Sequence, residues 1–383
     1  RSPSREPIEG ARRRSPSQEP VEGAHRRSPS KEQMKIAIII LNWNGKLLLE
    51  RFLPSILKYS SDLANVYVAD NASTDDSVAF INSKYPEVKV IKNRSNGGYA
   101  KGYQDALIHI KEPILCLLNN DVKVSENWLN PILNIFDKES QTAVVQPKIL
   151  DKKNPKYFEY AGAAGGYIDR FGYPYCRGRI FDFIEEDLNQ YDNASIFWAS
   201  GACFFIRNNV FHEVGGFDTD YFAHMEEIDL CWRLFNASYN IKFCKESTVY
   251  HLGGGTLNHL NPNKTYLNFR NSLFTILKNS PNPSLLILSR LILDGIAAVY
   301  LLLKNTNNKG HLHFLAVIKA HLNFYVLIPR MIRKRKKILL KRKNYYNKVS
   351  ILWLYYIKRL KTFKSLKKKK KFYLKSFTTV FFF

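Results

Sequence analysis

Four short apolar runs, at residues 36–41, 66–69, 88–91 and 114–118, are each followed by a cluster of Asn, Asp or Gly. The clusters are Asn42-Trp43-Asn44-Gly45, Asp70-Asn71-Ala72-Ser73, Asn96-Gly97-Gly98-Tyr99-Ala100-Lys101-Gly102 and Asn119-Asn120-Asp121. Runs of that length suit buried strands, and the amphipathic stretches between them, near 47–57, 75–83 and 100–110, are long enough for helices. Such alternation predicts an α/β fold with a mostly parallel sheet flanked by helices. Parallel sheets take ligands at the carboxyl ends of their strands, which is where all these polar clusters fall. They therefore converge on one crevice.

Taken singly, each cluster has a plain structural reading. Asp70 and Asp121 could serve only as caps or turn residues. The glycines after Asn96 permit positive φ and close approach to a phosphate, yet they do not spell the G-x-G-x-x-G of dinucleotide binding. Further along, 162–192 is rich in Gly, Tyr, Phe and Arg without periodicity and reads as loops and an acceptor-side surface. Residues 197–206 read as a buried strand and 207–214 as a short helix. Two more strands are expected at 241–244 and 249–251, the second ending on His251 before Leu252-Gly253-Gly254-Gly255-Thr256. Beside Asp121, His251 is a candidate metal or diphosphate contact.

The densest ionisable stretch lies between these elements, at 217–234. Ile228, Leu230 and Leu234 can face a core while Glu226, Asp229 and Arg233 recur on another side, and Glu227 falls near the helix start, where backbone N–H groups favour a carboxylate. An acidic helix start is commonplace. Here it joins four other polar clusters.

Charge divides the chain. The formal charge is +25, of which residues 304–383 carry +23 with 23 Lys+Arg and no acid, so the basicity belongs to a C-terminal appendix. Residues 1–33 repeat Ser-Pro-Ser every 13 positions, at Ser2, Ser15 and Ser28, and hold almost no large apolar side chain, so they are expected to be disordered. Because a strand follows Met34 at once, the repeats are expected to be either a wrongly extended start or a disordered tail. Five scattered cysteines with no C-x-x-C pair read as reduced core residues of a cytosolic protein.

In order along residues 35–278, these motifs, together with Trp198-Ala199-Ser200-Gly201-Ala202 and Glu226-Glu227-Ile228-Asp229-Leu230-Cys231-Trp232-Arg233, resemble the inverting family 2 glycosyltransferases of GT-A fold, in particular the rhamnosyltransferase-like branch. The resemblance implies a nucleotide-diphosphate sugar donor over the strand ends. Asn42, Asn44, Asp70, Asn71, Asn96, Gly97, Gly98, Lys101 and Asn120 would bind it. Asp121 would hold a divalent cation, Mg²⁺ or Mn²⁺, with His251 supplying the contact missing because Asn119-Asn120-Asp121 departs from a full D-x-D. Glu227 would be the catalytic base, Glu226 its rival and Asp229 a supporting group, while Trp198, Gly201 and Arg233 would lie on the acceptor side. The acceptor expected is a glycan or lipid-linked glycan of the cell envelope, and the donor leans towards rhamnose on deoxythymidine diphosphate. The competing reading is a non-catalytic nucleotide-sugar-binding or membrane-scaffold protein on the same fold.

These motifs give four expected segments: the leader 1–33, a GT-A domain at 34–280, an apolar and amphipathic helical region at 281–345, and a basic aromatic tail at 346–383. Residues 284–303 approach the length of a membrane span, but Arg290 and Asp294, spaced to pair at i, i+4, make a helix lying on the membrane or against protein the better expectation. Apolar stretches followed by lysines suit an anionic membrane rather than a specific nucleic acid. A cytoplasmic protein, peripheral on the inner face of the plasma membrane, is expected.

Overall fold

Strand β1 (Ile36–Asn42) is buried on both faces, and its alternate side chains feed two separate cores. Ala37 and Ile39 join one cluster; Ile36, Ile38 and Ile40 join the other. A strand covered on both sides needs continuous apolar character, which is why its sequence shows no polar alternation. The computed structural model describes residues 35–253, 261–304, 309–338 and 340–366. The repeats at 1–33, the glycines at 254–255 and the last 17 residues, 367–383, lie outside the described residues.

Three βα units follow the sequence expectation. β1, β2 (Ala64–Asp70), β3 (Lys89–Lys92) and β4 (Ile114–Asn119) alternate with α1 (Lys46–Lys58), α2 (Ser77–Lys84) and α3 (Gly98–Leu107). β1 runs parallel to both β2 and β4, pairing Asn42 with Asp70 and Leu41 with Asn119, so the polar clusters come level at one edge of the sheet. Leu49, Leu53 and Ile56 of α1 pack in one core, and Ala100, Tyr103, Ala106 and Leu107 of α3 in the other.

The second half departs from simple alternation. After β5 (Val122–Val124) and α4 (Asn130–Lys138), the ten-residue β6 (Thr142–Asp151) was not evident in the sequence, where Pro147 interrupts the apolar run. The loops expected at 162–192 instead form a four-stranded antiparallel sheet of β7 (Gly166–Ile168), β8 (Pro174–Cys176), β9 (Arg179–Ile180) and β10 (Phe183–Ile184). Strands of two or three residues are too short to show a period. β11 (Ala194–Ser195) precedes β12 (Cys203–Arg207), which occupies only the end of the strand expected at 197–206. The preceding residues cross to the small sheet, where Phe197 N–H donates to Gly166 O at 2.8 Å and Gly166 N–H to Trp198 O at 3.0 Å. Then come α5 (Asn208–Glu213), α6 (Glu226–Asn236) and β13 (Asn240–His251). The two strands expected at 241–244 and 249–251 are one, β13, whose register against β6 shifts between Cys244 and Thr248. The main sheet is mixed and nine-stranded, ordered β11-β13-β6-β12-β4-β1-β2-β3 with β5 on β13.

α7 (Pro262–Asn279), α8 (Pro283–Lys304) and α9 (Gly310–Lys337) pack together, and α7 also packs on α6. The described part of the expected tail, through residue 366, packs on the rest of the chain. Tyr345 lies 4.4 Å from Trp232 between ring centroids, Phe363 stacks on Tyr167 at 5.5 Å, and Ile351 N–H donates to Asp169 Oδ2 at 2.9 Å. These aromatics therefore cover α6 and the small sheet.

Candidate active site

The strand ends are tied to one another by their own amides. Asn42, fully buried, donates to Asp70 Oδ1 at 3.4 Å and Ser73 Oγ at 3.3 Å and accepts from Asn120 Nδ2 at 3.1 Å. Asn44 sits at φ 50° and accepts from Thr74 N–H at 2.7 Å. Asn71 donates to Asn96 Oδ1 at 2.9 Å and to Gly98 O at 3.1 Å. These side chains fix the loops after β1, β2 and β3 to one another. Lys101 turns away to pair with Asp105 at 2.7 Å, one helical turn on, on a partly exposed face.

Gly98 is required where it stands. Its φ is +76°, and a Cβ there would come within 2.3 Å of Phe222 O. Ala100 N–H donates to that same carbonyl at 3.2 Å, so the turn that opens α3 abuts the loop that opens α6. Tyr99 joins the two halves: its hydroxyl donates to Gly201 O at 2.7 Å, and burial, Tyr103, Glu226 and Glu227 together push it well above the usual phenol range.

The acids of α6 separate into three environments. Glu226 is buried, and burial followed by the neighbouring Glu227 charge pushes it well above the usual carboxylate range, so it stays neutral. Glu227 keeps partial exposure; burial raises it to about 7, opposed by backbone N–H groups at the helix start. One oxygen of each, Oε2, is buried with no hydrogen-bond partner among the described residues. Asp229 is held below the ordinary range although burial opposes it, because Lys278 and Arg233 prevail. Its oxygens meet Lys278 Nζ at 2.9 Å, Arg233 Nε at 2.9 Å and Asn279 Nδ2 at 2.8 Å. Asp229 thus braces α6 against α7, which carries Lys278 and Asn279.

Two residues expected on the acceptor side are engaged within the protein. Arg233 donates to Asp229 Oδ2 at 2.9 Å and to Val214 O and Gly216 O, both at 2.6 Å. Trp198 is 3% exposed and donates to Tyr167 O at 3.0 Å, so it packs the small sheet onto the core.

Asp121 and His251 are brought together at the ends of β4 and β13. His251 Nε2 lies 3.0 Å from Asp121 Oδ1, and its Nδ1 lies 3.2 Å from Glu159 Oε1, with all three side chains nearly buried. Burial opposes charge on this imidazole, but contacts with Asp121 and Glu159 push it up to about 10. Glu159 is the residue missed from sequence: nothing in Phe158-Glu159-Tyr160-Ala161 signals a site, and only the fold delivers it to His251.

Residues 37–215 match the family model described as Glycosyl transferase family 2. Those residues form a family 2 glycosyltransferase domain. Similar curated proteins include an N-acetylglucosaminyl-diphospho-decaprenol L-rhamnosyltransferase of Mycobacterium tuberculosis, 25% identical over 218 residues, 53% of this chain and 71% of that protein. Another is the low-salt glycan biosynthesis hexosyltransferase Agl10 of Haloferax volcanii, 22% identical over 221 residues, 56% of this chain and 66% of that protein. Among solved structures, GalNAc-T7 with UDP, GalNAc and Mn2+ matches with a TM-score of 0.57 at 15% identity, over 86% of this chain and 57% of that one. That likeness shows the GT-A fold. The family match stops at residue 215, so the assignment of the glycosyltransferase's acids rests on the geometry of α6.

Proposed function

We propose that this glycosyltransferase moves a sugar, with inversion, from a nucleotide-diphosphate donor to a hydroxyl of a glycan or lipid-linked glycan acceptor in envelope synthesis. The observation that carries this reading is the division of labour on α6. Only Glu227 is both partly exposed and poised near neutrality, and it stands beside the turn that closes the donor crevice. A base working near pH 7 wants that pKa.

In this mechanism the Asn42, Asp70, Asn71 and Asn96 network holds in place the loops that cradle the nucleotide, and the Gly97-Gly98 backbone lets the donor approach the start of α3. Glu227 takes the proton of the acceptor hydroxyl as that oxygen forms a bond to the anomeric carbon. On the opposite face the carbon–oxygen bond to the diphosphate breaks, and the nucleoside diphosphate leaves with the electron pair. Glu226, neutral, adds no negative charge against the incoming oxygen.

Asp121 and His251 would hold a divalent cation once it displaced the proton that Asp121 and Glu159 keep on the imidazole: a buried carboxylate oxygen and Nε2 lie 3.0 Å apart, and Glu159 stands 3.2 Å from Nδ1, where a carboxylate orients a ligating histidine. When bound, the cation would offset the charge that develops on the leaving diphosphate. Among the described residues no third His, Cys, Asp or Glu completes a cage, so the diphosphate and water would fill the remaining positions. Mg²⁺ and Mn²⁺ both suit such a set, and GalNAc-T7 was crystallised with Mn2+.

The site of action we propose is the inner, anionic face of the membrane. α8 and α9 are each long and apolar enough to cross a membrane. Arg290 and Asp294, however, pair at 3.2 Å inside the protein, and Arg290 also stacks on Tyr173 at 3.8 Å and donates to Ser272 Oγ at 2.8 Å. A spanning α8 would carry those catalytic-domain partners into lipid. Leu285, Leu288, Ile292, Ile296 and Leu303 point outward instead, with exposed Lys304, Lys319, Arg333 and Lys336 near them, which suits a helix pair lying in the interface. Relatives acting on lipid-diphosphate and surface glycans favour the same acceptor class and a rhamnosyl or hexosyl donor.

The test is Glu227→Gln in the full chain, with donors screened across deoxythymidine, uridine and guanosine diphosphate sugars. The expected result is near-complete loss of transfer with donor binding retained. Unchanged turnover would remove Glu227 from the reaction, and binding without transfer by the unaltered protein would favour the non-catalytic module.

A further inference from the structure

α9 faces two ways. Leu315, Leu322 and Val326 stand on its exposed side, whereas Arg330 and Lys334 reach the segment that launches α6. Of the basic run 333–337, two members are committed internally. Arg335 donates to Leu277 O at 2.9 Å and Ser280 O at 2.6 Å and caps α7. Lys334 contacts both Asp218 and Asp220, the latter at 2.6 Å.

Followed from the catalytic helix outward, the contacts form one unbroken line of alternating charge. Asp229 meets Lys278 at 2.9 Å, Lys278 meets Asp218 at 2.6 Å, Asp218 meets Lys334, Lys334 meets Asp220, and Asp220 meets Arg330 at 2.6 Å. Asp218 is held far below the usual carboxylate range by Lys278 and Lys334, although burial opposes them.

The loop so gripped needs holding. Phe222, His224 and Met225 all have positive φ, 63°, 69° and 73°, a conformation that non-glycine residues keep only when their surroundings impose it. From the side of α7, Asn271 Nδ2 gathers the carbonyls of Tyr221, Ala223 and His224 at 3.0, 2.9 and 2.7 Å, and Arg270 Nη2 donates to Asp220 O at 3.1 Å. The α7 contacts fix the loop's backbone. The α9 contacts fix its two aspartates. Glu227 follows two residues after the last strained position.

We infer that Arg330 and Lys334 are positioning residues for glycosyl transfer: through Asp220 and Asp218 they hold the 217–225 loop and so set the place from which Glu227 acts. The appendix is then part of the catalytic unit as well as its seat on a surface. This inference rests on Glu227 being the base.

The test uses the full-length protein carrying Arg330→Met with Lys334→Met, alongside Lys334→Arg and the single Arg330→Met. Three readouts are taken: kcat, donor KM, and amide hydrogen exchange across 218–225. Displacement of a reacting group by an ångström can cost about 10²-fold in rate, so the double variant is expected to lose about ten- to a hundredfold in kcat with donor KM little changed. Exchange across 218–225 should quicken while exchange in β1 and β4 stays as it was, and Lys334→Arg should keep most of the activity. Should the double variant fail to fold, the milder Arg330→Met, whose side chain is 53% exposed, carries the same comparison. A kcat within twofold of the unaltered protein, or unchanged exchange in the loop, overturns the inference. If the unaltered protein transfers no sugar, the reading of Glu227 fails separately, and the exchange measurement alone decides whether α9 holds the loop.

Discussion

Replacing Lys278 by Met tests the electrostatic account of the site without touching either glutamate. The ammonium is 2% exposed as a residue and bridges Asp218 at 2.6 Å and Asp229 at 2.9 Å. Met keeps the apolar stem but leaves both carboxylates short of a cation. Removing one partner of a buried pair costs about 3–5 kcal/mol. Here Arg233 still serves Asp229 and Lys334 still serves Asp218, which puts the expected loss near the lower end, about 3 kcal/mol at pH 7. The pH dependence carries the diagnostic sign. In the unaltered protein the folded pKa of both aspartates lies below the unfolded value, so they stabilise the fold above about pH 3.9 and that contribution fades as pH falls towards the folded value. In the variant, burial without Lys278 raises at least one of them above its unfolded value. That group then destabilises the fold at neutral pH, and the penalty shrinks on acidification by about 1.4 kcal/mol per unit below its folded pKa. Urea unfolding followed by tryptophan fluorescence at pH 7 and pH 5 measures both quantities. A loss below about 1 kcal/mol at pH 7, or a gap between variant and parent that fails to narrow at pH 5, would refute the reasoning.

Three further outcomes are expected. With Glu227 at about 7 and required in its ionised form, log kcat/KM should climb with unit slope below that pH and level off above it, and Glu227→Gln should abolish the limb together with the activity. Glu159→Gln should weaken Mn²⁺ affinity about ten- to a hundredfold, measured by paramagnetic resonance of free Mn²⁺ with no turnover required; unchanged affinity would mean that Glu159 does not orient His251. Ile292→Glu with Ile296→Glu, both on the outward face of α8 at 61% and 63% exposure, should reduce co-sedimentation with anionic vesicles while leaving soluble-acceptor turnover intact; equal sedimentation would place the membrane contact elsewhere.

The first half of the fold was legible because β1, β2 and β4 are buried on both faces and each strand there, the half-exposed edge strand β3 included, is followed by a polar cluster. Continuous apolar runs such as 36–41 and 114–118 admit few alternatives. Legibility falls where strand identity depends on tertiary pairing. β6 contains Pro147, β13 shifts register near Cys244, and β7 to β10 are two or three residues long, so none carries a pattern that stands on its own. The appendix misled for a different reason. Composition counts lysines and arginines but is silent on direction: Lys334 and Arg335 turn inward, and the exposed Arg342 lies over Phe235, donating to its carbonyl at 2.9 Å.

The site shows the same division between residue type and residue environment. Sequence identifies three acids within four positions of one another, and helical spacing even sets Glu226 and Asp229 on a shared side. It cannot say that Asp229 will meet Lys278 from a helix fifty residues further on, nor that Glu226 will be sealed while Glu227 is not. Those differences follow from what packs against each carboxylate: cations around Asp229 hold it charged, apolar burial keeps Glu226 neutral, and burial offset by helix-start N–H groups brings Glu227 to the middle. A single helix turn thus contains an anchor, a spacer and the proposed base, and the anchor connects through Lys278, Asp218 and Lys334 to a helix whose outer face is apolar. Any surface that seats α9 therefore also bears on the loop that presents the base. Turnover measured on vesicles and in detergent should accordingly differ in kcat more than in donor KM, and a difference confined to acceptor KM would show that the membrane delivers substrate without acting on the loop.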